Sequence, residues 1–465
     1  MTAVKETPGF FLSHFARLEE KLGRDGDPWL QQVRKNAIRR FADLGFPTTR
    51  LEDWKYTNVA PIARIPFQAA ELRWDGVADE RLTELPLAHS AFSECCSRIV
   101  FINGRYSPQL SSPELPEGLI IGSLALAVKQ NASAVKKHLA RHADYQQQAF
   151  VALNTAFLED GAFIEIPPGV RAEAPIYVLF VSTADEPIAS HPRSLIIAGD
   201  GSQASIVEDY LALGDGPCLT NAVTEIVTGE NSVVEHYKLQ DESEKAFHLS
   251  TVQVSQARSS SFLSHSISLG GALVRNDLRI ALNGDGAECT LNGLYVAGDE
   301  QHVDNHTVID HIQPHCSSRE LYKGILDDKS SAVFNGSIIV RKDAQKTDAR
   351  QSNKNLLLSE SATINSKPQL EINADDVKCA HGTSIGHLDE DSVYYLRSRG
   401  IGLNESRTVL TYGFANDVLN RMKVDAVRVR LECALLARLS GGHAQVQAEE
   451  GTPASSRDVL SIKLA

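Results

Sequence analysis

A thiol and an imidazole stand two residues apart at Cys379 and His381, within Asp375-Asp376-Val377-Lys378-Cys379-Ala380-His381-Gly382-Thr383. Thiolate and imidazole are donors that iron, zinc and copper prefer, which makes the pair a candidate metal or cluster site. If the segment is extended, the two side chains share a face, with Cβ atoms about 6–7 Å apart. Two donors cannot complete a tetrahedral site, so further ligands must come from elsewhere in the chain or from a partner. On spacing alone, a buried structural Cys beside a satisfied His is the better reading of Cys-x-His. The adjacent Asp375 and Asp376 point to opposite faces of a strand and cannot flank one substrate atom.

A denser set follows from His302, His306, His311, His315 and Cys316, five potential donors in fifteen residues. That composition suggests a metal site. Against it, His302 and His306 would lie about 13 Å apart along an extended chain. His and Asn on stacked coils form hydrogen-bonded ladders instead, and the strand texture favours the ladder. The usual enzyme signatures are missing: there is no Gly-rich phosphate loop with its Lys, no dinucleotide fingerprint, no nucleophile elbow and no zincin helix.

The balance of 59 acidic against 46 basic side chains gives a formal charge of −13. This disfavours nucleic acid as a partner, because neutralising phosphates needs a basic surface. No apolar run approaches the roughly 20 residues that span a bilayer. Residues 1–15 have neither a secretory nor a transit pattern, so the expected location is cytoplasmic. Seven scattered cysteines, an odd number, read as reduced thiols rather than a disulfide framework.

The elements that must position these residues fall into blocks, and 465 residues predict two or three domains. Residues 10–45 read as two helices, with Phe11, Phe15, Leu18 and Leu22 at helical spacing, then Trp29, Val33, Ala37, Phe41 and Leu44 after Asp27-Pro28. Residues 48–57 read as a polar, aromatic-bearing loop. Residues 61–120 are irregular apart from a strand at Arg98–Asn103, and helical character returns over about 123–158. From Gly161 the texture is one of short strands between Pro, Gly and Asp turns.

A weak repeat runs through this region, a small polar turn leading into a strand. It occurs at 201–206, 231–235, 260–264, 286–290, 330–334 and 361–365, with steps of about 26–30 residues and one longer step. Coils of that length without intervening helices suit a β-solenoid, in which neighbours share one core. A large β-sandwich is the alternative; some 210 residues of unbroken strand texture favour the solenoid. After His387 the periodicity is helical, with Asp389 as N-cap and Gly400 as stop, then helices from Asn404 and over Val424–Leu439. These helices carry more apolar positions than a small bundle needs, which makes them a candidate docking surface. The blocks are therefore 1–158 (helical and mixed), 159–386 (solenoid), 387–442 (helical) and a tail over 443–465, polar through Ser456 and expected to be mobile.

The stretch 375–383, continuing through Tyr394-Tyr395-Leu396-Arg397-Ser398-Arg399-Gly400-Ile401, closely resembles the signature of the SufB/SufD family of SUF iron–sulfur cluster assembly. Pro47-Thr48-Thr49-Arg50 with Glu52, Trp54, Lys55, Tyr56 and Thr57 is similar to its N-terminal motif. Residues 100–107, 153–156, 301–306 and 318–324 match as well. Ala380 and Gly382, where SufB-type chains typically carry acidic residues, make the chain resemble the SufD type.

That resemblance implies a right-handed parallel β-helix between helical ends, with C-terminal helices that dock the ABC-type ATPase SufC. It also implies pairing with a SufB-like subunit through the end of the β-helix, a homodimer being a further possibility. His381 would contribute to a transient iron–sulfur cluster shared across that interface, with Cys379 as a second ligand or a structural thiol. No role for 301–306 follows from it. The chain would be a non-catalytic scaffold, ATP hydrolysis belonging to SufC. Two competing readings are a β-helix enzyme acting on polysaccharide and a zinc-binding structural protein using His302, His306, His311 and His315.

Overall fold

The computed structural model describes residues 9–22, 27–69, 97–112, 118–130, 132–183, 185–214 and 216–439. The tail expected from 443, Cys95, Cys96 and most of the irregular stretch after Ala69 lie outside the described residues. The chain divides into two compact units, one up to Ile385 and one from Gly386 onward.

The first unit begins with α1 (Gly9–Leu22), α2 (Pro28–Leu44), α3 (Ala60–Arg64) and β1 (Gln68–Ala69). Asp27 caps α2, its carboxylate accepting from the Trp29 amide with Pro28 in the first turn, where a missing N–H costs nothing. Then come β2 (Ser97–Ile102), β3 (Arg105–Tyr106), β4 (Ile120–Ser123), α4 (Leu124–Gln130), α5 (Ala132–His138) and α6 (Ala149–Ala156). The Phe11, Phe15, Phe41, Phe150 and Phe157 rings form one buried cluster that also reaches solenoid residues Leu219, Phe247 and Leu273.

The solenoid winds alternately through two sheets. One holds β5 (Ala162–Ile166), β8 (Arg193–Ala198), β10 (Cys218–Thr228), β12 (Phe247–Gln256), β14 (Leu273–Leu282), β16 (His302–His311), β18 (Ser331–Val340) and β20 (Thr363–Ile372), with β7 (Ile188–Ser190) beside β10. The other holds β6 (Ile176–Ser182), β9 (Gln203–Ala212), β11 (Val233–Asp241), β13 (Ser261–Ser268), β15 (Glu288–Ala297), β17 (Ser317–Leu326), β19 (Asp348–Leu357) and β21 (Lys378–Gly386). The successive coils pair in parallel from β5 to β20 in one sheet and from β6 to β19 in the other, and one column reads Gln203, Val233, Ser261, Glu288, Ser317, Asp348.

This is the expected solenoid, with one correction to its repeat. The units at 201–206, 231–235, 260–264 and 286–290 start strands of one sheet, whereas those at 330–334 and 361–365 start β18 and β20 of the other. The longer step is a jump between sheets. Each coil carries two strands, and turns leading into both have the same small polar residues.

Inward residues alternate along each strand, as a period of two requires. Val274, Ile280, Val303, Ile309 and Phe334 on one side meet Phe262, Cys289, Leu291 and Tyr322 on the other. Gly293 leaves room for the Tyr322 ring, since a Cβ there would lie 2.2 Å from it. The middle coils are polar inside: Lys238, buried, donates to Asn276 Oδ1 at 2.7 Å, and Asn276 donates to Asn305 Oδ1 at 3.0 Å. Burial pushes the Lys238 ammonium down to about 7, against the pull of Glu242 and Glu208.

The second unit consists of α7 (Glu390–Ser398), α8 (Leu403–Leu419) and α9 (Asp425–Leu439). Asp389 caps α7 by accepting from the Ser392 amide at 3.0 Å, and Gly400 takes φ +87° after its end, a left-handed turn that glycine adopts without strain. Val427, Leu431 and Leu435 of α9 and Ala415, Val418 and Leu419 of α8 are buried. Tyr394 and Tyr395 of α7 are exposed, as is Val429 of α9.

Candidate functional site at the open end of the solenoid

Cys379 and His381 both lie on β21, the last strand of its sheet. The turn leading into it is pinned by Asp376, whose carboxylate pairs with Lys346 and whose amide donates to Gln345 Oε1 at 2.9 Å. Asp376 thus shapes the turn. Asp375 and Asp376 both lie in a bend before β21 rather than on a strand, so the opposite-face expectation for an extended strand does not apply to them.

The amide ladder fixes the register of β21. Asp348 N–H donates to the Cys316 carbonyl at 3.1 Å, where Asp348 pairs with Ser317. Lys378 N–H donates to the Thr347 carbonyl at 2.8 Å with the same offset. Lys378 therefore stands over Asp348, Cys379 over Ala349, His381 over Gln351 and Thr383 over Asn353.

Two contacts show which face looks inward. Cys379 packs against the apolar cluster of Ile338, Val340, Ala344 and Ala349. Thr383 donates to Ser366 Oγ of β20 at 2.9 Å, and Ser366 donates to Asn353 Oδ1 at 2.8 Å. His381, between them in the alternation, belongs to the same face. Yet it is exposed, because the strand column ends here: β21 is exposed along nearly its whole length and β20 is only half-buried. The two candidate donors thus share one face of an uncovered coil, as the spacing predicts.

Burial pushes the Cys379 thiol up, opposed by the Ala349 backbone. The uncharged thiol is a poor metal donor until a metal displaces its proton. Among the described residues no group of three or more His, Cys, Asp or Glu side chains is placed to hold a metal ion. A metal ion held at this end would need donors beyond this pair.

The second candidate set does not converge. His302 Nδ1 lies 2.7 Å from Ser331 Oγ and its Nε2 2.9 Å from Thr57 Oγ1. Because the Thr57 hydroxyl donates to Asp304 Oδ2 at 2.5 Å, it accepts from His302 Nε2–H, and both ring nitrogens are committed. His306 Nε2 lies 3.0 Å from Asp304 Oδ1. His311 faces the interior against Ser318, at 3.0 Å. His315 sits in an exposed turn at φ +58°, and the Cys316 thiol donates to the Gly284 carbonyl at 3.3 Å. These are separate hydrogen-bonded positions, and the zinc reading fails.

Two stretches singled out in the sequence, 48–57 and 301–306, meet each other. Besides Thr57 on His302 and Asp304, the Arg275 guanidinium stacks 3.7 Å from the Trp54 ring centroid and donates to the Asp53 carbonyl at 2.7 Å and to Asp304 Oδ2 at 2.7 Å. Arg275 holds the Asp304 carboxyl far below the usual range against the opposing effect of burial. Glu52 pairs with Lys367 of β20, so the loop is tied to the last coil as well. Propensity reads 48–57 as a loop, and no local signal shows that its partner lies some 250 residues away.

The sequence reading also missed what lies behind His381. Gln351 and Glu320, one and two coils back in the same column, are buried, and Gln351 Nε2 donates to Glu320 Oε2 at 2.6 Å. Stepping back one coil of about thirty residues from His381 would have found Gln351.

Comparison with known proteins adds to this geometry. A family model described as "SUF system FeS cluster assembly, SufBD core domain" matches residues 180–414, and one described as "SufBD protein N-terminal region" matches residues 6–178. The chain is 33% identical, over 89% of its length and 92% of the relative's, to an iron–sulfur cluster assembly SufBD family protein of Synechocystis sp.. It is 29% identical to the iron–sulfur cluster assembly protein SufD of Escherichia coli over 93% and 97% of the two chains. Against SufD of Bacillus subtilis the identity is 26% over 87% and 92%. With both halves matched and a β-solenoid core between helical ends, the chain belongs to the SufBD family of SUF-system iron–sulfur cluster assembly proteins.

Proposed function

We propose that the chain is a SufD-like scaffold subunit without catalysis of its own, on which a transient iron–sulfur cluster is built with a second protein. The observation that carries this reading is the uncovered last coil, which presents His381, with the half-buried Cys379 beside it, where the described residues supply too few donors for a complete site. The missing ligands then come from a SufB-like partner set against the same coil, and an imidazole donor makes the shared cluster more labile than four thiolates would. A cluster that must be handed on benefits from that lability. The exposed tyrosines of α7 and the exposed Val429 of α9 are assigned to contact with a SufC-like ATPase, which supplies the nucleotide hydrolysis. A cytoplasmic setting agrees with five free thiols among the described residues and with the absence there of a helix long and apolar enough to cross a membrane.

Anaerobic co-expression with SufB-like and SufC-like partners should yield one co-purifying complex whose absorption spectrum reports a cluster. His381→Ala should abolish the cluster signal while leaving the complex intact. A full cluster signal in that variant would remove His381 from the mechanism. The polysaccharide reading has no support, because the family match lies elsewhere and Asp375 and Asp376 are used or exposed in a turn.

A further inference from the structure

Gln351 stands directly behind His381, and its side chain is oriented by what lies further in. Its Nε2 donates to Glu320 Oε2 at 2.6 Å, and a Cβ on Gly336 of the facing sheet would lie 2.3 Å from that nitrogen. The nitrogen end of the amide is therefore wedged toward the earlier coil. Its Oε1 is buried and has no hydrogen-bond partner, and a buried acceptor left unpaired is costly. The flanking groups of β21 do not supply a donor, since Thr383 is committed to Ser366 and the Cys379 thiol lies against the apolar cluster. His381 is next in the column on the same face, which makes its ring the candidate donor.

We propose that Gln351 is a positioning residue for His381: its side-chain carbonyl accepts one ring N–H, fixes the tautomer and leaves the other nitrogen's lone pair directed out of the open coil toward iron. The inference rests on the reading of His381 as a cluster ligand and deepens it. Metal-binding histidines almost always donate their second ring nitrogen to a carbonyl or carboxylate, which fixes the ring and raises its basicity. Glu320 acts one step further back. By holding Nε2 it decides which end of the amide faces His381.

The test measures ring ¹⁵N shifts of His381 in the isolated full-length chain, at a pH well above the ordinary histidine range. Resonances are assigned by their loss in His381→Ala. Gln351→Met keeps length and removes the acceptor; Gln351→Glu keeps an acceptor. Thermal melting establishes that each variant is folded. The parent and Gln351→Glu should show one protonated and one bare nitrogen with well-separated shifts, and Gln351→Met should move both toward the values of an exposed histidine. In the complex with partner subunits, Gln351→Met should lose its cluster to a chelator about ten-fold faster.

Unchanged ring shifts in Gln351→Met would overturn the proposal. So would unchanged cluster loss in a complex where His381→Ala abolishes assembly. Assembly that survives His381→Ala sinks the ligand reading itself, and the ring shifts then still decide whether Gln351 holds the imidazole.

Discussion

The two ends of the solenoid are built on opposite terms. At the N-terminal end the coils are closed off: β4 runs antiparallel to β5 and β3 folds back antiparallel on β2, while the α1, α2 and α6 aromatics pack against Leu219, Phe247 and Leu273 of β10, β12 and β14. One buried charge on this side is closely matched. Glu225 of β10 accepts from the amides of Ala140, Arg141, His142 and Ala143 at 2.7–3.1 Å and from Arg193 at 2.7 Å. At the C-terminal end of the first unit nothing described pairs with the free edges of β20 and β21, and polar atoms behind them are left without partners. A bare solenoid end is an open template for pairing. One end spends its residues on closure, and the other leaves the coil of Cys379 and His381 uncovered.

That contrast can be broken at several points. The largest effect is expected at the closed end. Glu225→Ala strands the Arg193 guanidinium and four amides, and removing one partner of a buried pair costs about 3–5 kcal/mol. Denaturant unfolding should register a loss of that size, and a loss under about 1 kcal/mol would mean that this clamp does not hold the helices to the sheet.

Behind the open end, burial pushes the Glu320 carboxyl up to about 7. A folded value above the ordinary 4.5 means that the native state holds its proton more tightly than the unfolded chain. Stability from this group is then complete below 4.5 and is lost as the pH rises toward 7, by roughly 3 kcal/mol at 1.36 per unit. Glu320→Gln should flatten the unfolding free energy across that window relative to the parent. Parallel pH curves for the two proteins would contradict the assignment.

A smaller loss is expected where the N-terminal loop ties to the coils. Thr57→Val removes the hydroxyl that joins His302 to Asp304 and should cost about 1–3 kcal/mol. Proteolysis within 48–57 should then become faster; an unchanged cleavage rate would show that Trp54 on Arg275 suffices. The smallest change in stability belongs to His381→Ala, within about 0.5 kcal/mol because the side chain is exposed. A large destabilisation would mean that the last coil is not open, and the contrast between the two ends would collapse.

Much of this was legible in the residues. The strand texture from Gly161, the turn-and-strand repeat, the Asp27-Pro28 helix start and the Asp389 and Gly400 boundaries of α7 all follow from local rules, because turns, caps and alternation act over a few residues. Cys379 and His381 were legible for the same reason, since spacing by two on a strand gives a shared face. The repeat misread its own sheet between 286–290 and 330–334, because both strands of a coil begin with similar small polar turns and only hydrogen bonding distinguishes them.

What local rules cannot reach is contact between distant coils. His302, His306, His311 and His315 have the composition of a metal site, and only the register and the Thr57 hydroxyl decide that they do not form one. Gln351 and Glu320 are ordinary polar residues in sequence. Their place behind His381 comes from coils about thirty residues long stacked in parallel. The sequence by itself determined the strands, the coil and the pair of donors, through interactions spanning a few residues. The tertiary structure alone decided that the coil carrying them is left uncovered and what stands behind the imidazole, because burial and register are properties of the stacked coils together.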